Sequence, residues 1–333
     1  MSTITVPPML PPVQQDCQAL HHAFKGFGCD EKHVIQILAH RNYLQRRELV
    51  NAYRSMYGED LLRRLEKELH GNLEVSLVSQ ELRVRILKSI FQQAVLLWMM
   101  EPAERDAVLI RDAMKGLGTK DKTLIEIICS RTPSQLYYIR QAYQTKYHRS
   151  LDKDIQSDTS GDYRKLLLAF ASGQRPEGPH VDMHLADADA RELYRAGEGR
   201  LGTDESTFIR VFSTRSAAQL HAAFAAYKHL YKRDIDKAIK RETSGDFEDA
   251  LRLIVKSVTR PGRYFAKVLY DSMKRMGTDD STLIRVVVTR AEQDMQYIKA
   301  DFYQKYKKPL ESMISGDTSG NYKHFLLSLV GGH

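Results

Sequence analysis

Apolar residues recur along most of the chain at the i, i+3, i+4 spacing that places them on one face of an α-helix. Examples are HVIQILAHR from His33, TLIEIICSR from Thr123, TFIRVFSTR from Thr207 and TLIRVVVTR from Thr282. Alternation with period two, which is typical of half-buried strands, is rare. The pattern therefore predicts an all-α protein built from short helices, each with one apolar face.

These segments belong to a unit that is repeated four times. Each follows a loop that contains glycine: FKGFGCDE from Phe24, MKGLGTKD from Met114, EGRLGTDE from Glu198 and MKRMGTDD from Met273. Each segment closes on an arginine 15 residues after the same loop position; these are Arg41, Arg131, Arg215 and Arg290. Self-similarity at one fixed spacing indicates repeats that bury their apolar faces against one another.

The repeats set the expected domain boundaries. We expect a proline-rich tail at 1–14, repeats at 15–100, 101–173, 184–259 and 260–333, and a linker at 174–183. The step from Glu68 to Gly116 is 48 residues, whereas the step from Glu242 to Arg275 is 33. An extra segment at about 75–92 explains the difference. Its helical spacing favours an added helix; the alternatives are an amphipathic membrane contact and an insertion that disturbs packing between repeats one and two.

Composition describes a globular protein with excess positive charge. Hydrophobic residues are 42%, charged residues 28%, and the net charge is +8, which favours an anionic partner: nucleic acid, a membrane surface or an acidic protein. The longest apolar run, 94–100, is far below the roughly 20 residues of a spanning helix. Three cysteines without a CxxC pair, and a start without the features of a secretory signal, predict a cytoplasmic protein.

The glycine loops could direct N–H groups at a phosphate or carbonyls at a cation. The second loop has Asp121 where a P-loop needs its second glycine, and the other loops lack the Lys-Thr pair. An acid stands 42 residues after the same position of every loop, in the pairs Gly26–Glu68, Gly116–Asp158, Arg200–Glu242 and Arg275–Asp317. Calcium takes about six to eight oxygens, often with one bidentate carboxylate. The pattern therefore favours calcium; the alternative is glycines that turn the chain and acids that cap helices.

These residues resemble the annexin family. The K-G-x-G-T-[DE] loop, the arginine that closes the next helix and the [DE]-T-S-G element are similar to that family's repeat signature, over about 15–331. ILAHRN from Ile37 and VVVTRAEQDMQYI from Val286 are similar to plant members, and plant annexins are expected to be the most similar. The resemblance implies a curved disc of four repeats with about five helices each. It also implies that calcium held in the loops bridges the protein to acidic phospholipid.

Carried over by position, the resemblance gives each calcium site three loop carbonyls and one carboxylate. The sites are Phe24, Gly26, Gly28 and Glu68; Met114, Gly116, Gly118 and Asp158; Gly197, Arg200, Gly202 and Glu242; and Met273, Arg275, Gly277 and Asp317. The resemblance to the family favours the first and fourth of these sites. The loop tips Phe27, Leu117, Leu201 and Met276 would enter the headgroup layer, and Lys25, Lys115, Arg200 and Lys274 would lie beside phosphates.

Three loop positions depart from the family pattern. Cys29 stands where the other loops have threonine, and Lys120 replaces an acid. Arg275 replaces a glycine, whose backbone conformation would strain another residue, although its carbonyl is kept. We therefore expect any secondary site at the second loop to be weak.

A peroxidase-like or redox enzyme is the main alternative function. The resemblance includes plant annexins linked to such activity through a histidine placed as His40 is here, but Ser130, Thr214 and Thr289 fill this position in the other repeats. Of the cysteine pair proposed for redox behaviour in plant relatives, Cys129 is present and Ser257 replaces the other member. No HExxH or GxSxG motif occurs. We therefore expect no enzyme, and calcium alone as a cofactor.

Nucleic-acid binding is a second alternative. The basic residues are spread over all repeats rather than gathered on one helix with aromatic residues between them, so no specific nucleic-acid partner is expected. Calcium-independent attraction to anionic partners at low salt stays open. Binding to actin or other proteins, or channel formation, would add to membrane binding. We expect a monomer in solution that can self-associate on membranes.

Overall fold

The computed structural model of the chain describes residues 1–25, 28–69, 90–116, 118–274 and 277–332. These residues form 20 helices and no strand, which confirms the all-α prediction. The helices follow one another in four groups of five, which confirms the four repeats. None of the helices in the described part of the chain is long and apolar enough to cross a membrane.

The first compact unit contains Met1–Glu101 and Phe265–His333, which hold repeat one and all of repeat four except the first turn of its first helix. The helices of repeat one are α1 (Val13–Ala23), α2 (Glu31–Leu38), α3 (Tyr43–Tyr57), α4 (Leu61–Glu68) and α5 (Ile90–Met99). The helices of repeat four are α16 (Pro261–Met273), α17 (Asp280–Arg290), α18 (Met295–Tyr306), α19 (Leu310–Asp317) and α20 (Gly320–Leu329). Of the predicted extra segment at 75–92, residues 75–89 lie outside the described residues, and 90–92 begin α5.

The second compact unit is Pro102–Tyr264, which holds repeats two and three. Repeat two consists of α6 (Pro102–Ala113), α7 (Asp121–Ser130), α8 (Pro133–Tyr147), α9 (Leu151–Asp158) and α10 (Gly161–Ala171). Repeat three consists of α11 (Met183–Ala196), α12 (Glu205–Thr214), α13 (Ala217–Tyr231), α14 (Ile235–Glu242) and α15 (Gly245–Thr259). A single apolar core runs through both repeats and includes the buried rings of Phe170, Phe208 and Phe212.

Arg46, which stacks on Trp98, joins the two repeats of the first unit. The Trp98 indole Nε1 donates to the Leu38 carbonyl at 2.8 Å, and the Arg46 guanidinium carbon lies 3.5 Å from the centre of the Trp98 ring. Arg46 also pairs at 2.8 Å with Glu292, which belongs to repeat four. Because Trp98 and Arg46 are both buried, these contacts fix α3 and α5 against the connection between α17 and α18.

In repeats one to three, the arginine singled out by the sequence forms an ion pair with an aspartate. Arg41 pairs with Asp16 at 2.7 Å, Arg131 with Asp106 at 2.6 Å, and Arg215 with Asp189 at 2.8 Å. In each case the aspartate lies on the first helix of the same repeat. The arginine therefore ties the end of the second helix to the first helix and fixes the loop between them.

Candidate metal sites

The four glycine loops are closed by the same backbone hydrogen bond. In each, the residue just before the second helix donates its N–H to a carbonyl in the last turn of the first helix. The pairs are Asp30 to Ala23 at 3.0 Å, Lys120 to Ala113 at 2.8 Å, Asp204 to Ala196 at 2.7 Å and Asp279 to Ser272 at 2.8 Å. The two ends of each loop are therefore held together by the fold.

The last glycine of each loop has a positive φ, and in the second loop Gly116 also has one, at +109°. The values are +97° at Gly28, +88° at Gly118, +78° at Gly202 and +91° at Gly277. An added Cβ at these positions would meet no atom within 4 Å, so backbone conformation, rather than space, requires glycine. The repeated G-T of the sequence is therefore a conformational signal.

The loop threonine brings the distant acid to the loop in three repeats. Thr278 Oγ1 donates to Asp317 Oδ2 at 2.7 Å, and Thr203 Oγ1 lies 3.4 Å from Glu242 Oε2. Thr119 Oγ1 donates to the Asp158 carbonyl at 3.3 Å. Residues about 40 positions apart in sequence therefore meet in each of these repeats.

In the third loop the Glu242 side chain lies against the backbone of Gly197. A Cβ on Gly197 would come within 3.2 Å of Glu242 Cγ, so the glutamate side chain lies directly against the loop backbone. The Gly197 carbonyl accepts from the Arg200 N–H at 3.0 Å. Carbonyl, hydroxyl and carboxylate oxygens are the hard ligands that calcium prefers, so the donor set fits this ion.

The first loop is arranged differently. Cys29 replaces the threonine, and Arg64 contacts the acid instead: its Nη2 lies 3.0 Å from Glu68 Oε1. The same nitrogen lies 3.3 Å from the Phe24 carbonyl oxygen. Gly26 of this predicted site lies outside the described residues.

The remaining predicted site residues are placed less fully. Arg275 of the fourth site, and the tips Phe27, Leu117 and Met276, lie outside the described residues. The side chains of Met114 and Met273 are buried in the core. Leu201 at the tip of the third loop is fully exposed. The basic residues Lys25, Lys115, Arg200 and Lys274 are also exposed.

Sequence reasoning missed a group of side chains that brace the third loop. Glu198, next to Gly197, accepts from Tyr227 at 2.9 Å, and it pairs with Arg233 at 2.8 Å and with Arg241 at 3.2 Å. Burial alone would raise the pKa of Glu198, but the hydrogen bonds from Arg233 and Tyr227 hold it below its usual range. Glu198 is therefore a carboxylate with its own cations, distinct from Glu242.

The start of the second helix carries further carboxylates whose pKa departs from the ordinary value. Hydrogen bonds from Ser206 and Thr207 lower the pKa of Asp204, which caps α12. Burial raises the pKa of Asp121, which accepts from the Tyr163 hydroxyl at 3.0 Å. Asp204 is therefore committed to helix capping as an anion.

The residues of the enzyme alternative have ordinary structural surroundings. His40 Nδ1 lies 2.9 Å from the Thr5 carbonyl oxygen. Cys129 is buried, and burial raises its pKa to about 12. The Ser257 hydroxyl donates to the Ile254 carbonyl within α15. These contacts stabilise local structure.

Fold and loops together define a class: all-α proteins of four five-helix repeats, with a closed glycine loop in each repeat. In three repeats the loop threonine contacts the distant acidic residue, at its backbone carbonyl in repeat two and also at its carboxylate in repeats three and four. The chain belongs to the annexin family, whose model, "Annexin", matches residues 15–79, 105–170, 188–254 and 264–329. The resemblance found in the sequence is thus confirmed. Members of this family are known for calcium-dependent phospholipid binding.

Relatives from animals and plants are similarly close. Annexin A4 of Sus scrofa is 46% identical over 96% of this chain and 94% of its own length. Annexin D5 of Arabidopsis thaliana is 40% identical over 99% of both chains. Among solved structures, annexin III has a TM-score of 0.91 at 39% identity, covering 99% of this chain and 97% of its own. A structure titled calcium-bound annexin (Sm)1 has a TM-score of 0.84 at 28% identity, covering 99% and 93%.

Proposed function

We propose that this chain binds acidic phospholipid membranes through calcium held in its four glycine loops. The observation that carries the proposal is the contact between loop and distant acid, above all Thr278 Oγ1 to Asp317 Oδ2 at 2.7 Å. A carboxylate fixed beside backbone carbonyls supplies part of a calcium shell and leaves positions for outside oxygens. The annexin family and its calcium-bound relative support the choice of ion.

The sites would use the carbonyls and acids that the sequence assigns. They are Phe24, Gly26, Gly28 and Glu68; Met114, Gly116, Gly118 and Asp158; Gly197, Arg200, Gly202 and Glu242; and Met273, Arg275, Gly277 and Asp317. When bound, calcium supplies positive charge and open coordination positions for lipid phosphate. Without calcium, the acids present negative charge to an anionic surface and repel it.

Exposed side chains around the loops support the choice of a membrane. Leu201 contributes an apolar tip that the fold leaves fully exposed. Lys25, Lys115 and Lys274 are exposed beside their loops, and each basic residue is worth about 1 kcal/mol near an anionic surface. We propose that the protein is cytoplasmic and lies at the periphery of membranes when calcium rises; the exposed loop residues support the second part.

We propose a binding protein rather than an enzyme. His40 is engaged with the Thr5 carbonyl, and Cys129 has no accessible thiol, so neither supports peroxide or dithiol chemistry. Binding to actin or other proteins, and self-association on membranes, stay predictions.

Sedimentation with phosphatidylserine vesicles tests the function. The intact chain is expected to pellet with calcium and to be released by a chelator. Glu242→Ala with Asp317→Ala should raise the calcium concentration needed for pelleting. Asp187→Ala, which removes an exposed carboxylate from α11, is the matched control and should have no effect. Pelleting that persists in chelator and is lost at high salt would indicate plain basic attraction instead.

A further inference from the structure

Arg64 bridges two groups of the first candidate site. It lies four residues before Glu68 on α4, and this spacing puts both side chains on one face of the helix. Its Nη2 is 3.0 Å from Glu68 Oε1 and 3.3 Å from the Phe24 carbonyl oxygen. One charged N–H group thus spans a carboxylate and a carbonyl that calcium would use.

The Arg64 side chain is held in this place from other sides as well. Its Nη1 lies 3.6 Å from Glu59 Oε2, and its guanidinium carbon lies 5.9 Å from the centre of the Phe24 ring. The side chain is 27% exposed, so it is partly withdrawn from water. The guanidinium is therefore part of the loop's local structure.

No other repeat has a cation at this position. The corresponding residues are Asp154, Ala238 and Met313. Asp154 is engaged by the Arg149 guanidinium at 2.6 Å and by the Tyr143 hydroxyl at 2.6 Å. Ala238 and Met313 carry no charge. The first loop is also the one in which Cys29 replaces threonine, so Arg64 takes over the contact with the acid.

We propose that Arg64 is a tethered cation that occupies the first loop when calcium is low, and that calcium binds this loop only by displacing it. The inference rests on the proposed function of the loops. A guanidinium and a calcium ion both require the negative charge of Glu68, and their like charges repel each other. The first loop therefore binds calcium more weakly than the same loop without Arg64.

Displacement also gives Arg64 a new partner. A released guanidinium beside a bound ion can form two parallel hydrogen bonds with a phosphate. A phosphate-bearing surface thus stabilises the displaced state, whereas water does not. The first loop depends on lipid for its calcium affinity more strongly than the other loops do.

The test isolates the first loop in the full chain. Asp158→Ala, Glu242→Ala and Asp317→Ala together leave Glu68 as the one loop acid. Into this background go Arg64→Ala, Arg64→Gln, and the matched control Arg63→Ala, which removes an exposed charge from the neighbouring position of α4. Calcium binding is measured by titration calorimetry without lipid and then with phosphatidylserine vesicles.

Arg64→Ala and Arg64→Gln should bind calcium about three- to tenfold more tightly than the background without lipid, since a partly exposed ion pair no longer has to be broken. Arg63→Ala should match the background. Vesicles should improve calcium affinity more with Arg64 present than in either Arg64 variant. Thermal unfolding checks that each variant folds, and Arg64→Gln keeps the side-chain stem if Arg64→Ala is destabilised.

Three outcomes would overturn the role of Arg64. They are equal calcium affinities for Arg64→Ala and Arg63→Ala, weaker calcium binding in the Arg64 variants, and no calcium binding in any of the variants. The proposed function is judged separately on the chain with all four acids. It fails if that chain does not pellet with vesicles in calcium, or if its pelleting persists in chelator.

Discussion

The guanidinium carbon of Arg290 lies 4.3 Å from the centre of the Phe265 ring. The other three repeats have an aspartate at or next to this position on the first helix, paired with the closing arginine. In repeat four Asp294 supplies the carboxylate from four residues after Arg290. The arginine at this position therefore has one of two sets of partners. In three repeats it pairs with an aspartate of the first helix, and in repeat four it contacts an aromatic ring and pairs with an aspartate four residues further on.

Removal of the cross-repeat carboxylate should destabilise the second unit strongly. Asp106→Ala leaves Arg131 buried without its acid, and this should lower the free energy of unfolding by about 3–5 kcal/mol. Asp294→Ala should cost less, because the Phe265 ring still faces Arg290. Urea denaturation measures the free energy of unfolding of both variants. The control is Asp187→Ala, at an exposed position, which should stay within about 0.5 kcal/mol of the unaltered chain. Equal losses for Asp106→Ala and Asp187→Ala would contradict the prediction.

The threonine that joins loop and acid should tune calcium sensitivity. Thr278→Ala removes the hydroxyl that holds Asp317, so the carboxylate must be ordered when calcium binds. We expect a severalfold increase in the calcium concentration needed for vesicle binding and little change in stability. The control is Ser328→Ala, which removes an exposed hydroxyl bonded only within α20. A calcium response unaltered by Thr278→Ala would show that this contact does not prepare the site.

The exposed tip of the third loop should contribute to membrane affinity alone. Leu201→Ala removes apolar surface that becomes buried only on binding, and the expected loss is about 1–2 kcal/mol of vesicle affinity. Stability without vesicles should not change, because the side chain is fully exposed. Leu44→Ala makes the same change at an exposed position of α3 and should leave binding unaltered. If both variants bind alike, the tip does not enter the membrane.

Acid should weaken the first unit through His21. Burial, followed by the charges of Lys25 and Arg64, lowers the pKa of this imidazole, which stacks on Tyr57 at 3.9 Å. The unfolded chain binds the proton more readily, so stability should fall as pH drops below about 6.5 and level off below the folded pKa.

His21→Tyr is the matched variant for this pH dependence. Repeats three and four have stacked tyrosine pairs in the same place, Tyr194 on Tyr231 and Tyr270 on Tyr306. The variant should keep the stack and flatten the stability curve between pH 7.5 and 5. A slope identical to that of the unaltered chain would assign the acid sensitivity to another group.

Spacing in the sequence predicted the loops, their acids and the closing arginines because these features recur at fixed steps in all repeats. It did not predict Asp16, Asp106 and Asp189 as partners, since each belongs to another helix and meets its arginine only through packing. Arg64 escaped notice for a related reason: its position is basic in one repeat only, so repetition carries no signal. The fixed spacing did not single out Glu198, because the third loop is one residue longer than the others.

The junction around Trp98 has a spectroscopic consequence. Trp98 is the single tryptophan of the chain and lies in the first unit, between the Leu38 carbonyl and the Arg46 guanidinium. Its emission therefore reports the opening of repeats one and four, while far-ultraviolet circular dichroism follows the helices of both units. Coincident denaturation curves from the two signals would mean that the units unfold as one cooperative block, and separated curves would rank their stabilities directly.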